Sequence, residues 1–245
     1  MSTADSLGDR IKSHFEDRAR YYLPRRTFAI IRVDGKAFHT FTRGCVKPYD
    51  HQLMECIDFA ALAMCQDIAG SVLAYTQSDE ISVLLSDFKK RDSDGWLDYN
   101  VQKMASIAAS LATFHFNRCW GHIGGDLNKI ALFDARVFAI PDPVEVTNYL
   151  IWRQKDAERN SLQMAAQSVF SHKQLHGKSC AELHELLHTK DINWDRYTAR
   201  EKRGGLIVRE QNVVERSPWA QVECPIFAKD KEYLPNLMPV LGYDK

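Results

Sequence analysis

The chain carries no excess charge of either sign. Its 32 Lys and Arg balance its 32 Asp and Glu over 245 residues. That balance argues against a protein that coats nucleic acid indiscriminately, though not against an enzyme whose basic residues collect on one face. It also has no CxxC pair. Cys45, Cys56, Cys65, Cys119, Cys180 and Cys224 are irregularly spaced, several in apolar helical stretches where a thiol behaves as a small hydrophobe, which points to a reducing cytoplasm. No apolar run approaches the roughly 20 residues of a membrane span, and the polar first residues carry no signal-peptide pattern. Internal repeats and low-complexity linkers are absent. What remains, at 45% hydrophobic and 26% charged residues, is the composition of a globular protein long enough to bury a real core. The basic clusters at Arg18, Arg20, Arg25 and Arg26, at Lys89 to Arg91, and at Lys202 and Arg203 each read as a solvated face when taken singly.

Hydrophobic patterning orders the first half of the chain. Phe28 to Val33 is a short run of branched apolar residues that stops at Asp34-Gly35, the pattern of a buried strand. Pro48 and Asp50 open a helix whose apolar positions Leu53, Ile57, Ala60, Ala61, Met64 and Ile68 follow helical spacing until Gly70. Ser71 to Thr76 and Ile81 to Leu85 read as two strands joined by the polar turn Gln77-Ser78-Asp79-Glu80. A second helix is expected from about Trp96 to Cys119, with Met104, Ile107, Leu111 and Phe114 facing inward, and a fourth strand from Leu132 to Ile140 after the Gly124-Gly125-Asp126 break. Strand, helix, strand, strand, helix, strand is the split βαββαβ, ferredoxin-like arrangement, an α+β fold. Residues 1–141 form that domain, and residues 142–245 form a C-terminal extension packed on it: a long helix from Pro143 to Phe170, a His-rich helical stretch, then short strands and turns.

This topology gives the acidic residues a meaning. The first strand lies antiparallel beside the third, so its end at Asp34 faces the turn that begins the third, at Asp79 and Glu80, although Asp34 and Asp79 are 45 residues apart. Mg²⁺ takes one or two such carboxylates and completes its shell with water and substrate phosphates. Two such ions about 4 Å apart can activate an attacking hydroxyl and stabilise a leaving pyrophosphate. Singly, Asp-Gly and Ser-Asp are ordinary turn pairs; at facing strand ends they read as a metal site. Gly35 permits a tight turn, and Lys36, His39, Arg43 and Lys47 follow within a dozen residues. Acids for metal beside bases for phosphate is the composition a triphosphate site requires.

Six segments in register resemble the tRNA(His) guanylyltransferase family and its guanylyltransferase-like branch: RVDGKAFHTF (Arg32 to Phe41), Lys47-Pro48, TQSDEIS (Thr76 to Ser82), FDARVFAIP (Phe133 to Pro141), YLIWRQKDAERNSL (Tyr149 to Leu162), and GKSCAELHELL with INW (Gly177 to Trp194). The resemblance implies a palm-like core that extends RNA in the 3′-to-5′ direction. ATP would activate a tRNA 5′ monophosphate as an adenylylated intermediate, which the 3′ hydroxyl of an incoming nucleoside triphosphate, usually GTP, then attacks. By position, Asp34 and Asp79 would bind two Mg²⁺ ions with the Gly35 carbonyl as a further ligand, and Glu80 would be an assisting acid. Lys36, Ala37, Phe38, His39 and Lys47 would hold the triphosphate, with Ser78 a substrate contact; Arg153, Asn160, Asn193, Lys202 and Arg203 are candidate tRNA contacts. A homotetramer, or a homodimer, is implied.

Two departures favour the branch that repairs truncated tRNA 5′ ends by templated addition over strict G addition to tRNA(His). Eukaryotic members carry His-Ile-Asn-Asn where this chain has Ala157-Glu158-Arg159-Asn160, and Arg-Asn where it has Lys36-Ala37. A rival enzyme reading, a palm-type nucleotide cyclase or metal phosphodiesterase acting on a small nucleotide, shares the Asp34/Asp79 site; an RNA-binding module with an inert palm would be supported by an uncharged residue at Asp34 or Asp79, and both are acids. Among the remaining signals, His172, His176, His184 and His188 pair at helical spacing that could bind zinc, against which Gly177 interrupts the stretch. Trp120, Trp152 and Trp194 read as core residues sooner than as base-stacking platforms.

Overall fold

A computed structural model describes residues 6–88, 90, 92–210 and 218–240; Lys89 and Arg91 of the second basic cluster lie outside the described residues. Strand β1 (Phe28–Gly35) is followed by helix α1 (His51–Asp67), the hairpin β2 (Ser71–Gln77) and β3 (Glu80–Leu85), helix α2 (Val101–His122) and strand β4 (Phe133–Ile140). The expected βαββαβ order is therefore present. Each long helix starts on a side-chain cap. Asp50 accepts from the Leu53 amide, Asn100 from the Lys103 amide, and Asp142 from the Val144 amide ahead of helix α3 (Pro143–Gln167).

The strands form one antiparallel sheet in the order β4-β1-β3-β2-β5-β6, where β5 is Gly205–Arg209 and β6 is Trp219–Val222. Strands β5 and β6 of the C-terminal part thus extend the sheet of β1 to β4 instead of standing apart from it. Strand alternation divides the core. Ile31, Val33, Ala74, Ile81 and Val83 face α1 and α2, packing on Ile57, Met64, Met104 and Phe116. Ile30, Leu73, Tyr75, Leu84 and Leu206 face α3 and the C-terminal segment, packing on Leu150, Ala157, Cys224 and Phe227. A smaller cluster joins α3 to helix α4 (Cys180–His188) through Leu162, Ala166, Leu183 and Leu187.

The structure corrects several expectations. Helix α2 begins at Val101; Trp96–Tyr99 is a separate short turn in which Leu97 and Asp98 are left-handed. Its inward stripe is Met104, Ala108, Ala112, Phe116 and Trp120, whereas Ile107 is 44% and Phe114 56% exposed. The small alanines let the helix approach the sheet, and the bulky residues are left on the flank, where the Arg118 guanidinium lies 5.4 Å from the Phe114 ring centroid. Helix α3 ends at Gln167, short of Phe170. Trp152 is exposed and carries the Arg153 guanidinium on its ring at 4.5 Å, so it is not core; Trp120 is buried and Trp194 half-buried. In the histidine stretch, the rings of His172 and His176 lie 6.0 Å apart while His184 packs edge-on against Trp194.

Candidate active site

The register places the acids where the topology requires. Asp34, on the last turn of β1, lies directly across from Glu80 on β3 and from Asp134 on β4. The Gly35 amide donates to the Asp79 carbonyl at 3.1 Å, and the Lys36 amide to the Leu132 carbonyl at 2.8 Å. These backbone bonds clamp the end of β1 to the β2–β3 turn and to the start of β4. Ser78 makes that turn with a positive φ of 49°, which swings Asp79 back toward Asp34. Gly35 cannot be replaced without moving its neighbour, because a Cβ there would sit 2.2 Å from the Phe38 ring.

Asp34, Gly35, Ala37, His39, Lys47, Ser78, Asp79 and Asn160 all line a single cleft of about 740 Å³. Phe38 borders it too, but its ring is buried among Phe41, Phe116 and Phe133, with centroids 5.1–5.6 Å away. Phe38 therefore anchors the loop, its ring packed into the core beneath the cleft. Lys36 is exposed and outside the cleft lining. The loop's Ala37 adopts a left-handed φ of 53° just before the turn Phe38–Phe41.

Burial pushes the Asp79 carboxyl up, and the neighbouring Asp34 charge adds to this, while hydrogen bonds from Ser78 and the backbone pull it down. Asp134 adds a third acid across the strands from Asp34, and like charges directly opposite are unfavourable unless something neutralises them. Two half-buried carboxylates beside the Gly35 carbonyl form an all-oxygen donor set, which suits a hard divalent cation such as Mg²⁺. Among the described residues, no group of three or more His, Cys, Asp or Glu side chains is arranged to hold a metal by itself; an ion here would draw the rest of its shell from water and substrate.

Glu80 is committed elsewhere. It is 7% exposed, and Arg153, reaching down from α3 at 6% exposure, donates from Nε to Oε1 and from Nη2 to Oε2, both at 2.8 Å. Arg32 stands 3.6 Å from Oε2. Burial pushes the Glu80 carboxyl up against the pull of the two arginines. Glu80 is thus not a free acid, and Arg153 is not a surface arginine open to RNA: each is the other's buried counter-ion. The other expected tRNA contacts outside the cleft also have local partners. Asn193 caps the turn at Trp194, the Lys202 ammonium donates to the Asp195 carbonyl above the Trp194 ring, and Arg203 Nε donates to the Cys224 carbonyl at 3.4 Å.

The cleft has a far wall that the sequence did not reveal. Ala157, Ser161, Met164 and Gln167 of α3, with Arg200, Glu201 and Gly204, close it opposite the carboxylates. Two polar hubs hold this wall. The buried Asp58 carboxylate of α1 accepts from Arg200 at 2.7 and 2.9 Å, from Thr76 at 2.6 Å and from Gln221 at 2.8 Å. Ser161 accepts from the Tyr49 hydroxyl through its carbonyl at 3.0 Å and from the Trp194 indole through Oγ at 2.9 Å. The sequence had marked Ala157, Ser161 and Trp194 within family-like segments, but of the Asp58 hub it offers a single sign, a charge in the middle of an apolar helix face.

A family model described as tRNAHis guanylyltransferase matches residues 8–141. The tRNA(His) guanylyltransferase of Schizosaccharomyces pombe is 31% identical over an alignment spanning 90% of this chain and 88% of that protein. Among solved structures, a bacterial tRNA(His) guanylyltransferase-like protein in complex with ATP is 40% identical with a TM-score of 0.87, covering 95% of this chain and 98% of that one. A bacterial guanylyltransferase-like protein in complex with GTP is 39% identical with a TM-score of 0.80, covering 95% and 99%.

Proposed function

Because this chain belongs to the tRNA(His) guanylyltransferase family of nucleotidyltransferases, we propose that it adds nucleotides to the 5′ end of tRNA in the 3′-to-5′ direction, with ATP and GTP among its substrates. The observation that carries this reading is the meeting of Asp34 and Asp79 in a cleft large enough for a nucleoside triphosphate and the end of an RNA strand. The relatives seen with ATP and with GTP support the choice of nucleotides.

In this mechanism Asp34, Asp79 and the Gly35 carbonyl would hold two Mg²⁺ ions, which would activate the attacking oxygen and offset charge on the leaving group, pyrophosphate when the tRNA 5′ phosphate takes AMP from ATP and AMP when the 3′ hydroxyl of the incoming nucleotide attacks that end. Lys47 and His39 bind phosphate oxygens from the cleft rim, Lys36 assists from outside it, and backbone groups of the Ala37–Phe38 turn complete the cradle. Ser78 presents its hydroxyl at the turn, and Asn160 meets the substrate from α3. Glu80 serves as a positioning residue: paired with Arg153, it fixes the hairpin carrying Asp79 against α3.

Substrate choice is proposed to follow the repair branch. The buried Ala157 lines the cleft where the eukaryotic pattern has histidine. A methyl group there offers shape but no hydrogen bond to a particular nucleotide, so pairing with the opposite strand of the acceptor stem selects the incoming base. A tetramer is proposed as well, with the exposed Ile107 and Phe114 flank of α2 as a surface that assembly would cover. A reducing, cytoplasmic setting is proposed on six unpaired thiols, three of them buried. The deciding experiment incubates the protein and Mg²⁺ with radiolabelled ATP or GTP and tRNAs either intact or lacking the first nucleotide. Label at the 5′ end supports the reading; cyclised or hydrolysed nucleotide without RNA labelling refutes it.

A further inference from the structure

We infer that Gln77 is a direct contact for the nucleotide in the cleft, its side-chain amide oxygen accepting a hydrogen bond from a hydroxyl or amino donor of that nucleotide. The inference rests on the nucleotidyltransferase reading and names a residue of the same site. Gln77 is the last residue of β2 and lies across from Glu80, which in turn lies across from Asp34. Cross-strand partners share a face, so these three side chains form one row over three adjacent strands. Neighbouring strands are about 4.8 Å apart, which sets Gln77 about 10 Å from Asp34 along the row. That distance is too great for both to ligate one ion, but it is a fitting span from metal-bound phosphates to the sugar or base of the same nucleotide.

The state of the side chain supplies the argument. Gln77 is 5% exposed, lines the cleft, and has an Oε1 without a hydrogen-bond partner. Its polar neighbours are satisfied within the protein: Glu80 by Arg153, Thr76 by Asp58, Ser161 by Tyr49 and Trp194. A buried acceptor left open is costly, and a leucine or methionine would fill the space without that cost. An open acceptor requires a donor. Triphosphate oxygens are acceptors, so the partner is a ribose hydroxyl or an amino group on the base.

Calorimetric titration of the full chain, with Mg²⁺ and without RNA, tests this using GTP, 2′-deoxy-GTP, 3′-deoxy-GTP and inosine triphosphate. The three analogues each remove one candidate donor. The wild type should bind the analogue missing the relevant donor about tenfold more weakly than GTP, the loss expected for one buried hydrogen bond. Gln77→Met should bind GTP and that analogue equally. A merely structural role would weaken all four nucleotides alike. Should Gln77→Met fail to fold, Gln77→Asn, which withdraws the amide by one methylene, must erase the same preference. Equal binding of all four nucleotides by the wild type overturns the inference, as does a variant that keeps the wild-type preference. A wild type that binds none of them overturns the nucleotidyltransferase reading and this inference with it.

Discussion

The Glu80–Arg153 pair offers the sharpest test of how the site is held. Replacing Arg153 with Leu removes both 2.8 Å bonds and leaves a carboxylate at 7% exposure with Arg32, 3.6 Å away, and a long 3.5 Å hydrogen bond from the Ser82 hydroxyl. Breaking a buried ion pair from one side costs about 3–5 kcal/mol, since the remaining charge has lost its partner but not its desolvation. Arg32 keeps part of the compensation, so the expected loss lies near the lower end, about 3 kcal/mol. Glu80→Gln keeps the shape and one acceptor, and should cost about 1–2 kcal/mol. Glu80→Gln with Arg153→Leu should cost less than the sum, because the pair disappears together. Urea denaturation of the four proteins at neutral pH measures the cycle, and single-turnover addition rates are taken alongside. A positioning role predicts that Glu80→Gln slows addition far less than replacement of Asp34 or Asp79. The reasoning is refuted if Arg153→Leu stays within about 1 kcal/mol of wild type, as an exposed pair would.

Three further outcomes follow from the same geometry. Asp79→Asn should abolish addition yet raise stability in metal-free buffer at pH 7. The folded carboxyl titrates above its ordinary value, so the wild type loses stability as pH rises from about 4 through that raised value, and the advantage of Asn should vanish at lower pH; an Asn variant no more stable than wild type at pH 7 contradicts this. Lys47→Ala and His39→Ala should raise the KM for nucleoside triphosphate at least severalfold while leaving tRNA affinity nearly unchanged, because both side chains are placed on phosphate; the opposite split would turn the loop toward RNA. A tRNA lacking its first nucleotide should be extended with the nucleotide that complements the facing base, faster than intact tRNA(His) gains a G. Side-by-side single-turnover rates decide, and a clear preference for intact tRNA(His) would strip Ala157 of the meaning given to it.

Local chemistry made much of this protein legible without coordinates. Branched apolar runs, Pro48 with the capping acid Asp50, Pro143, and the polar turn Gln77 to Glu80 mark out strands, helices and hairpin. A βαββαβ order then leaves few topologies, and antiparallel pairing of β1 with β3 brings Asp34 to Glu80 and its turn. The sequence could not show what covers each face. Glu80 looked like a third catalytic acid until Arg153, 73 residues away, was found seated on it. Phe38 sat among phosphate-binding residues, yet the hydrophobic effect draws its ring into the core. On α2 Met104 and Leu111 pack on the core as expected, but close packing chose Ala108 and Ala112 over the larger Ile107 and Phe114, which are exposed. Periodicity determines which residues share a face, while the partner on that face comes from distant parts of the chain. For that reason the carboxylates could be located from sequence, but the far wall of their cleft was decided only by the tertiary structure, when α3 folded back across the sheet.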